Sequence, residues 1–363
     1  MYENELEALR RAGRFRERKL YDDALKDLAS NDYLGLATKK KHLKKAMKLL
    51  EDYATISPKA SMLVNGYHPI HRIFETEVAE ANGFEEGLVV GSGFLANTAL
   101  IEALVRKGDM LFMDEEYHAS GVLASQLLGD RVVMFKHSDA DDLREKLGQY
   151  PAKRQIIAVE GVYSMGGDLC PREIFDLAEE KEALLIVDEA HSAGVLGWKL
   201  QGIFEYYGIP ITERHIKMGT LGKAYGSYGA YILASREIVS FLENRAKSVI
   251  YSTAPSVIDT ALALINFRYI RKKAETFRAE ILQRQLAVRK EYGINVQSLI
   301  APIEVQSNEQ ALFLQKGLIS QGYMVGAIRQ PTVKRPILRV ILSLGVPVRE
   351  LKHALALIRH NLD

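Results

Sequence analysis

The sequence predicts an α/β protein, with a mostly parallel seven-stranded sheet flanked by helices and a smaller α+β unit after it. Three observations predict it. From about Glu85, short apolar runs alternate regularly with helical-looking segments, the mark of strands buried on both faces and joined by helices. After Tyr251-Ser252-Thr253-Ala254-Pro255 that alternation stops, and a long charged helical stretch takes over. The chain has 363 residues, more than a single core usually fills.

Taken in order, residues 1 to about 20 read as a charged helix, and Asn31-Asp32-Tyr33-Leu34-Gly35 as a turn. Residues 39–53 form a basic amphipathic stretch. The strand candidates of the large sheet are 88–90, 110–113, 132–135, 156–159, 184–187, 215–220 and 229–234. Residues 256–292 read as one helical region, with later strands near 300–305 and 337–342. The expected division is an N-terminal helical segment (1–45), a large α/β domain (46–250) and a small C-terminal α+β domain (251–363).

Apolar residues make up 47% and charged residues 26%, with a formal charge of +2. That balance gives no global electrostatic case for nucleic acid. One cysteine, Cys170, rules out an internal disulfide or a multi-cysteine metal site. Residues 1–19 lack an apolar segment of secretory type, and no apolar run approaches the roughly 20 residues that span a bilayer. A cytoplasmic protein, with no membrane partner, is expected.

Ligands of open α/β sheets bind beyond the carboxyl ends of the strands, and reactive residues collect there. Asp188 directly follows one apolar run, within Asp188-Glu189-Ala190-His191. Tyr163 and Ser164 follow another, and His118 a third. Lys223 sits in the turn Gly219-Thr220-Leu221-Gly222-Lys223-Ala224. Singly, each has an ordinary reading: a helix cap, a core histidine, a surface lysine. A helicase would need a phosphate loop of the form G-x-x-x-x-G-K-[ST], but Ala224 follows Lys223 and Lys217 stands five residues before Gly222. A metal held by His118, His191 and Asp188 would leave the lysine turn without a role. Chemistry on pyridoxal 5'-phosphate (PLP) uses them all: an amine for a Schiff base, an acid for the pyridine nitrogen, an aromatic over the ring and a helix N-terminus for the phosphate. Gly91-Ser92-Gly93-Phe94, leading into a helical run, offers that N-terminus.

The ordered set of motifs resembles the α-oxoamine synthases, PLP enzymes of fold type I. The matching segments are Asn31-Asp32-Tyr33-Leu34-Gly35-Leu36, Asn65-Gly66-Tyr67 with His71, Ser92-Gly93-Phe94-Leu95-Ala96-Asn97, Tyr117-His118-Ala119-Ser120, Glu160 to Asp168, Asp188 to Gly197, Gly219 to Lys223, Ile250-Tyr251-Ser252-Thr253 and Arg339. They run through nearly the whole chain in family order. The resemblance implies that Lys223 is the Schiff-base lysine, Asp188 pairs with the pyridine nitrogen, His118 stacks on the ring, and Ser164 and His191 lie near its phenolate oxygen. It implies that Ser92, Gly93, Phe94 and Thr220 hold the phosphate, with Thr253 reaching it from a second subunit, and that Asn31 and Arg339 take the amino-acid carboxylate. A homodimer is implied as well.

Within the family, the compact length and Glu160-Gly161-Val162-Tyr163-Ser164-Met165-Gly166-Gly167-Asp168 resemble members that condense L-alanine with a pimeloyl thioester. The alternatives on the same scaffold are glycine C-acetyltransferase, 5-aminolevulinate synthase and serine palmitoyltransferase. One segment departs from the family. Where members often carry a glycine-rich stretch, this chain reads Ser57-Pro58-Lys59-Ala60-Ser61-Met62-Leu63-Val64, and Pro58 stiffens it. A basic cluster, Arg10, Arg11, Arg14, Arg16, Arg18 and Lys19, reads as a solvated helix face or as a docking surface for CoA phosphates or an acidic acyl carrier protein.

Overall fold

The computed structural model describes residues 1–362. Its strands are β1 (Lys26–Leu28), β2 (Glu86–Val90), β3 (Met110–Asp114), β4 (Val132–Phe135), β5 (Gln155–Glu160), β6 (Leu184–Asp188), β7 (His215–Thr220), β8 (Ala230–Ala234), β9 (Ile300–Glu304), β10 (Tyr323–Ile328) and β11 (Ile337–Ile341). Seven of them form one sheet in the order β2-β8-β7-β6-β5-β3-β4. Every pairing from β7 to β4 is parallel, and β8 alone runs against its neighbours. The seven strands are those expected from the apolar runs.

The central strands read as continuous apolar runs because both faces are covered. Ile156 to Glu160 and Leu185 to Asp188 are all buried. Leu111, Met113, Ile156, Ala158 and Ile186 face one apolar layer, and Phe112, Ile157, Val159, Leu185 and Val187 face the other. This is the alternation of side chains along a strand. Burying each such Leu, Ile or Val contributes about 1.5–3 kcal/mol. Several covering helices start where a serine or aspartate side chain accepts from a first-turn amide: Ser92, Asp139, Ser235, Ser256 and Ser307.

A second sheet, ordered β1-β10-β11-β9, joins the two ends of the chain, because β1 pairs in parallel with β10. Two expectations need correction here, and two strands are added. The N-terminal helix spans only Glu3–Arg11, since Gly13 turns left-handed (φ 65°) and Arg14 and Phe15 bond back to Leu9. The region 256–292 is two helices, Val257–Lys272 and Ala274–Tyr292, interrupted at Lys273. The strands β1 and β10 had no clear sequence signal. The departing loop 57–64 folds tightly into a turn at Met62–Gly66, where a Cβ on Gly66 would lie 2.1 Å from the Ala60 carbonyl oxygen. That turn admits only glycine.

Candidate active site

Parallel strands present their carboxyl ends at one rim, and this rim gathers Asp114 (β3), Glu160 (β5), Asp188 (β6) and Thr220 (β7). Glu160 and Asp188 are direct register partners. Both are buried, at 1% and 4% exposure. Burial, then the charge of Asp188, pushes the Glu160 carboxyl well up, which favours its protonated form. Its Oε1 has no hydrogen-bond partner.

Asp188 is held from two sides. The Ala190 amide donates to Oδ1 at 2.9 Å, and Asn97 Nδ2 donates to Oδ2 at 2.9 Å. Asn97 lies in the helix Gly93–Leu104 and is fully buried. Its Nδ2 is also 2.9 Å from Ser120 Oγ, and its Oδ1 accepts from Tyr117 at 2.8 Å. Ser120 Oγ in turn lies 2.7 Å from His118 Nδ1. Hydrogen bonds thus connect the acid to the histidine. Burial and the nearby Lys223 lower the His118 pKa, against the pull of Asp188.

Lys223 follows β7 in a turn, and its Nζ is 2.7 Å from His191 Nε2. Burial lowers its pKa to about 8; Asp188 and Glu160 oppose that shift and Arg339 adds to it. His191 is pushed well below its ordinary value by burial and by Lys223 and Arg339. Its Nδ1 meets the Tyr33 hydroxyl at 2.5 Å. Arg339, on β11, donates through Nη1 and Nη2 to Asn31 Oδ1, both at 3.1 Å, and through Nε to the Ser164 carbonyl at 2.7 Å. The second sheet therefore delivers a guanidinium to the rim of the first.

Ser92 caps the helix Gly93–Leu104 by accepting from Leu95 N at 3.2 Å, and the first amides of such a helix suit an anion. Thr220 closes its own turn, with Oγ1 donating to the Gly229 carbonyl at 3.1 Å and accepting from Gly222 N at 3.2 Å. The structure thus brings together Asn31, Ser164, His191, Lys223 and Arg339 on one side, and Asp188 and His118 on the other through Asn97. Thr253 stands apart from both groups. It is exposed, beside the Ala254 amide that bonds to Ala60. Tyr33, Asn97, Tyr117, Ser120 and Glu160 were given no role in the sequence reading. Asn97 carried a signal, as a polar residue set among Ala96, Leu100 and Ile101 on the buried side of its helix.

A cleft of about 1280 Å³ opens at the rim. His118, Tyr163 and Ser164 line it, with apolar Val122, Leu123 and Met165. Arg16, Lys334 and Arg335 stand at it with Glu115, Glu116 and Glu304; Lys334 pairs with Glu115 at 3.0 Å and Arg335 with Glu304 at 3.1 Å.

This donor set fits PLP. It combines a buried amine of lowered pKa, a hydrogen-bonded carboxylate, an imidazole tied to that carboxylate and a capped helix N-terminus on one sheet edge. Residues 24–358 match the family model for class I and II aminotransferases. In class, the chain is a PLP-dependent transferase of fold type I. A Sphingomonas wittichii serine palmitoyltransferase shares the fold, with a TM-score of 0.86 at 24% identity over 93% of this chain and 87% of that one. The 8-amino-7-oxononanoate synthase of Francisella tularensis superimposes with a TM-score of 0.78 at 26% identity, over 93% of this chain and 98% of that one. The Helicobacter pylori 8-amino-7-oxononanoate synthase is 46% identical over 97% of this chain and 95% of its own length. The chain belongs to the 8-amino-7-oxononanoate synthase family of PLP-dependent acyltransferases.

Proposed function

We propose that the chain joins L-alanine to a pimeloyl thioester, giving 8-amino-7-oxononanoate, CO2 and the free thiol in biotin synthesis. The observation that carries the reading is the 46% identity over 97% of the chain to a relative of that name. The chemistry of the rim agrees with it. Bound PLP supplies an electron sink for negative charge at the amino acid's α-carbon. Asp188, fixed by Ala190 N and Asn97, keeps the pyridine nitrogen cationic. His118 would cover the ring face, and Ser164 and His191 would address its phenolate oxygen. Ser92, Gly93, Phe94 and Thr220 hold the phosphate.

Lys223 would hold the cofactor covalently, and its amine, when free, would take the substrate's α-proton. An amine with a pKa of about 8 is partly unprotonated near neutrality and suits that task. Arg339 and Asn31 bind the substrate carboxylate. In the net reaction the α-carbon bonds to the thioester carbonyl, the C–S bond breaks and the thiol leaves with a proton. The original carboxyl then departs as CO2, and carbon takes a proton drawn from solvent through Lys223, the α-proton having left with the thiol.

The cleft beside Ser164 takes the acyl chain: its walls are apolar at Val122, Leu123 and Met165, and cations stand at Arg16, Lys334 and Arg335. An acyl carrier protein or CoA, both anionic, would meet Arg16 at the cleft and the other N-terminal arginines. The functional unit is a homodimer. Exposed Leu63, Val64, Phe94 and Tyr251 lie on or beside adjoining elements; a partner would cover such side chains, and Thr253 would reach the phosphate of the second subunit.

Incubation with carboxyl-labelled L-alanine, glycine or L-serine and thioesters of graded acyl length tests this reading. Labelled CO2 should be released fastest with alanine and the pimeloyl thioester. Faster release with glycine or serine would overturn it.

A further inference from the structure

Tyr33 is completely buried in the turn that follows β1, and nothing in the proposed chemistry uses it. Its hydroxyl lies 2.5 Å from His191 Nδ1 and 3.4 Å from Asn31 Oδ1. The opposite face of that imidazole, Nε2, is 2.7 Å from Lys223 Nζ. A single phenol therefore stands between the carboxylate-binding pair, Asn31 and Arg339, and the reactive amine.

We propose that Tyr33 is a positioning residue: it donates its proton to His191 Nδ1 and so fixes the imidazole in the form that turns an N–H from Nε2 toward Lys223. The inference rests on the reading of Lys223 as the cofactor lysine.

The geometry distributes the protons as follows. Tyr33 has one proton, and the 2.5 Å partner is nearer than Asn31, whose Oδ1 already accepts two N–H groups of Arg339 at 3.1 Å. Burial raises the phenol pKa far above neutrality, so the proton stays on Tyr33. Burial by itself favours the neutral form of His191, and any positive charge on Arg339, His118 or Lys223 pushes the same way. A neutral imidazole carries one N–H. If Nδ1 accepts, Nε2 must donate, and it can donate only to an amine with a free lone pair. Lys223 is then the neutral, nucleophilic amine that imine formation needs. The groups facing it are Asp188, Glu160, Arg339, His118 and His191; of these, His191 is the one whose polarity Tyr33 sets. The opposite arrangement has Tyr33 donating to Asn31, Nδ1–H donating to Tyr33, and Nε2 accepting from an ammonium.

The two differ in the place of one proton, which 15N chemical shifts report. The test uses full-length protein labelled at histidine, with His191 assigned by its loss in His191→Gln. At about pH 9, above the value of about 8 to which burial lowers Lys223, the cofactor-free protein should show Nε2 with the protonated-nitrogen shift and Nδ1 with the unprotonated one. The reverse pattern, or a doubly protonated ring, would overturn the proposal. In Tyr33→Phe the single form should give way to a mixture. The pH at which Lys223 in cofactor-free protein becomes half-reactive toward reductive methylation should rise by about one unit, the size of one hydrogen bond to a charged group. An unchanged tautomer and an unchanged profile would also overturn it. The wild-type shifts stand even if the variant fails to fold. Mapping the cofactor to a lysine other than Lys223 would defeat the functional reading while leaving the tautomer measurement interpretable.

Discussion

Asn97 Nδ2 donates to Asp188 Oδ2 at 2.9 Å while its Oδ1 accepts the Tyr117 hydroxyl, so a helix residue aims an acid at the end of a strand. Asn97→Ala leaves the Tyr117 hydroxyl and Asp188 Oδ2 buried without this partner, while Ala190 N still holds Oδ1; the loss costs about 1–3 kcal/mol of stability. Turnover should fall by roughly 10–100-fold, as when an outer partner of an active-site ligand is removed. Thermal unfolding and steady-state kinetics of the same variant check the two effects together.

Replacing the acid itself separates binding from chemistry. Asp188→Asn keeps the shape of the site and removes its charge. PLP should still bind, while exchange of the alanine α-hydrogen with solvent deuterium slows by about 10²–10⁴-fold. Exchange at the parent rate would count against the role given to Asp188.

A second cluster under the rim governs stability. His137 lies between Asp114 (3.0 Å) and Asp168 (2.9 Å), and Tyr163 donates to Asp114 at 2.7 Å. Burial opposes the imidazolium, but the bonds to Asp114 and Asp168 outweigh it and raise the pKa from 6.5 to about 10. A raised folded-state pKa means that this stabilisation is complete below pH 6.5 and is lost as pH rises toward 10. Burial also works against Asp114, yet its bonds to His137, Ser138, Glu116 and Tyr163 lower its pKa from 3.8. Its contribution is present above that value and is lost as pH falls through the lowered one. Urea midpoints of the parent should therefore drop more between pH 6 and pH 10 than those of His137→Asn. Parallel curves for the two proteins would contradict the pair.

The cleft cations make a separable prediction. Arg16→Ala together with Lys334→Ala should raise KM for the acyl thioester by about tenfold and leave KM for alanine unchanged. The salt dependence of the acyl KM should weaken in the double variant. Equal changes in both KM values would point to damage at the rim instead.

The large sheet was legible because its strands are short, β-branched and buried on both faces, as in Ile156-Ile157-Ala158-Val159 and Leu184-Leu185-Ile186-Val187. Strand β1 escaped because Lys26 and Asp27 are exposed and only Leu28 is buried, and β10 because Gly326 interrupts it and its burial is partial. Asp188, Lys223 and His191 could be read because their chemistry is distinctive and they sit at strand ends. Asn97, Ser120 and Tyr33 are ordinary polar residues whose function lies in which atom they face. That depends on long-range pairing, such as the 158 positions between Tyr33 and His191.

Borohydride reduction of the holoenzyme, followed by peptide mass mapping, tests the central claim most directly. Lys217 is the natural competitor: it is also buried, lies on β7, and has its pKa lowered by burial against its partner Glu189. The pyridoxyl group should be found on Lys223, and Lys223→Ala should lose the visible absorbance of bound cofactor while keeping its fold. A pyridoxyl group on Lys217, or an unmodified Lys223 in active enzyme, would contradict the account.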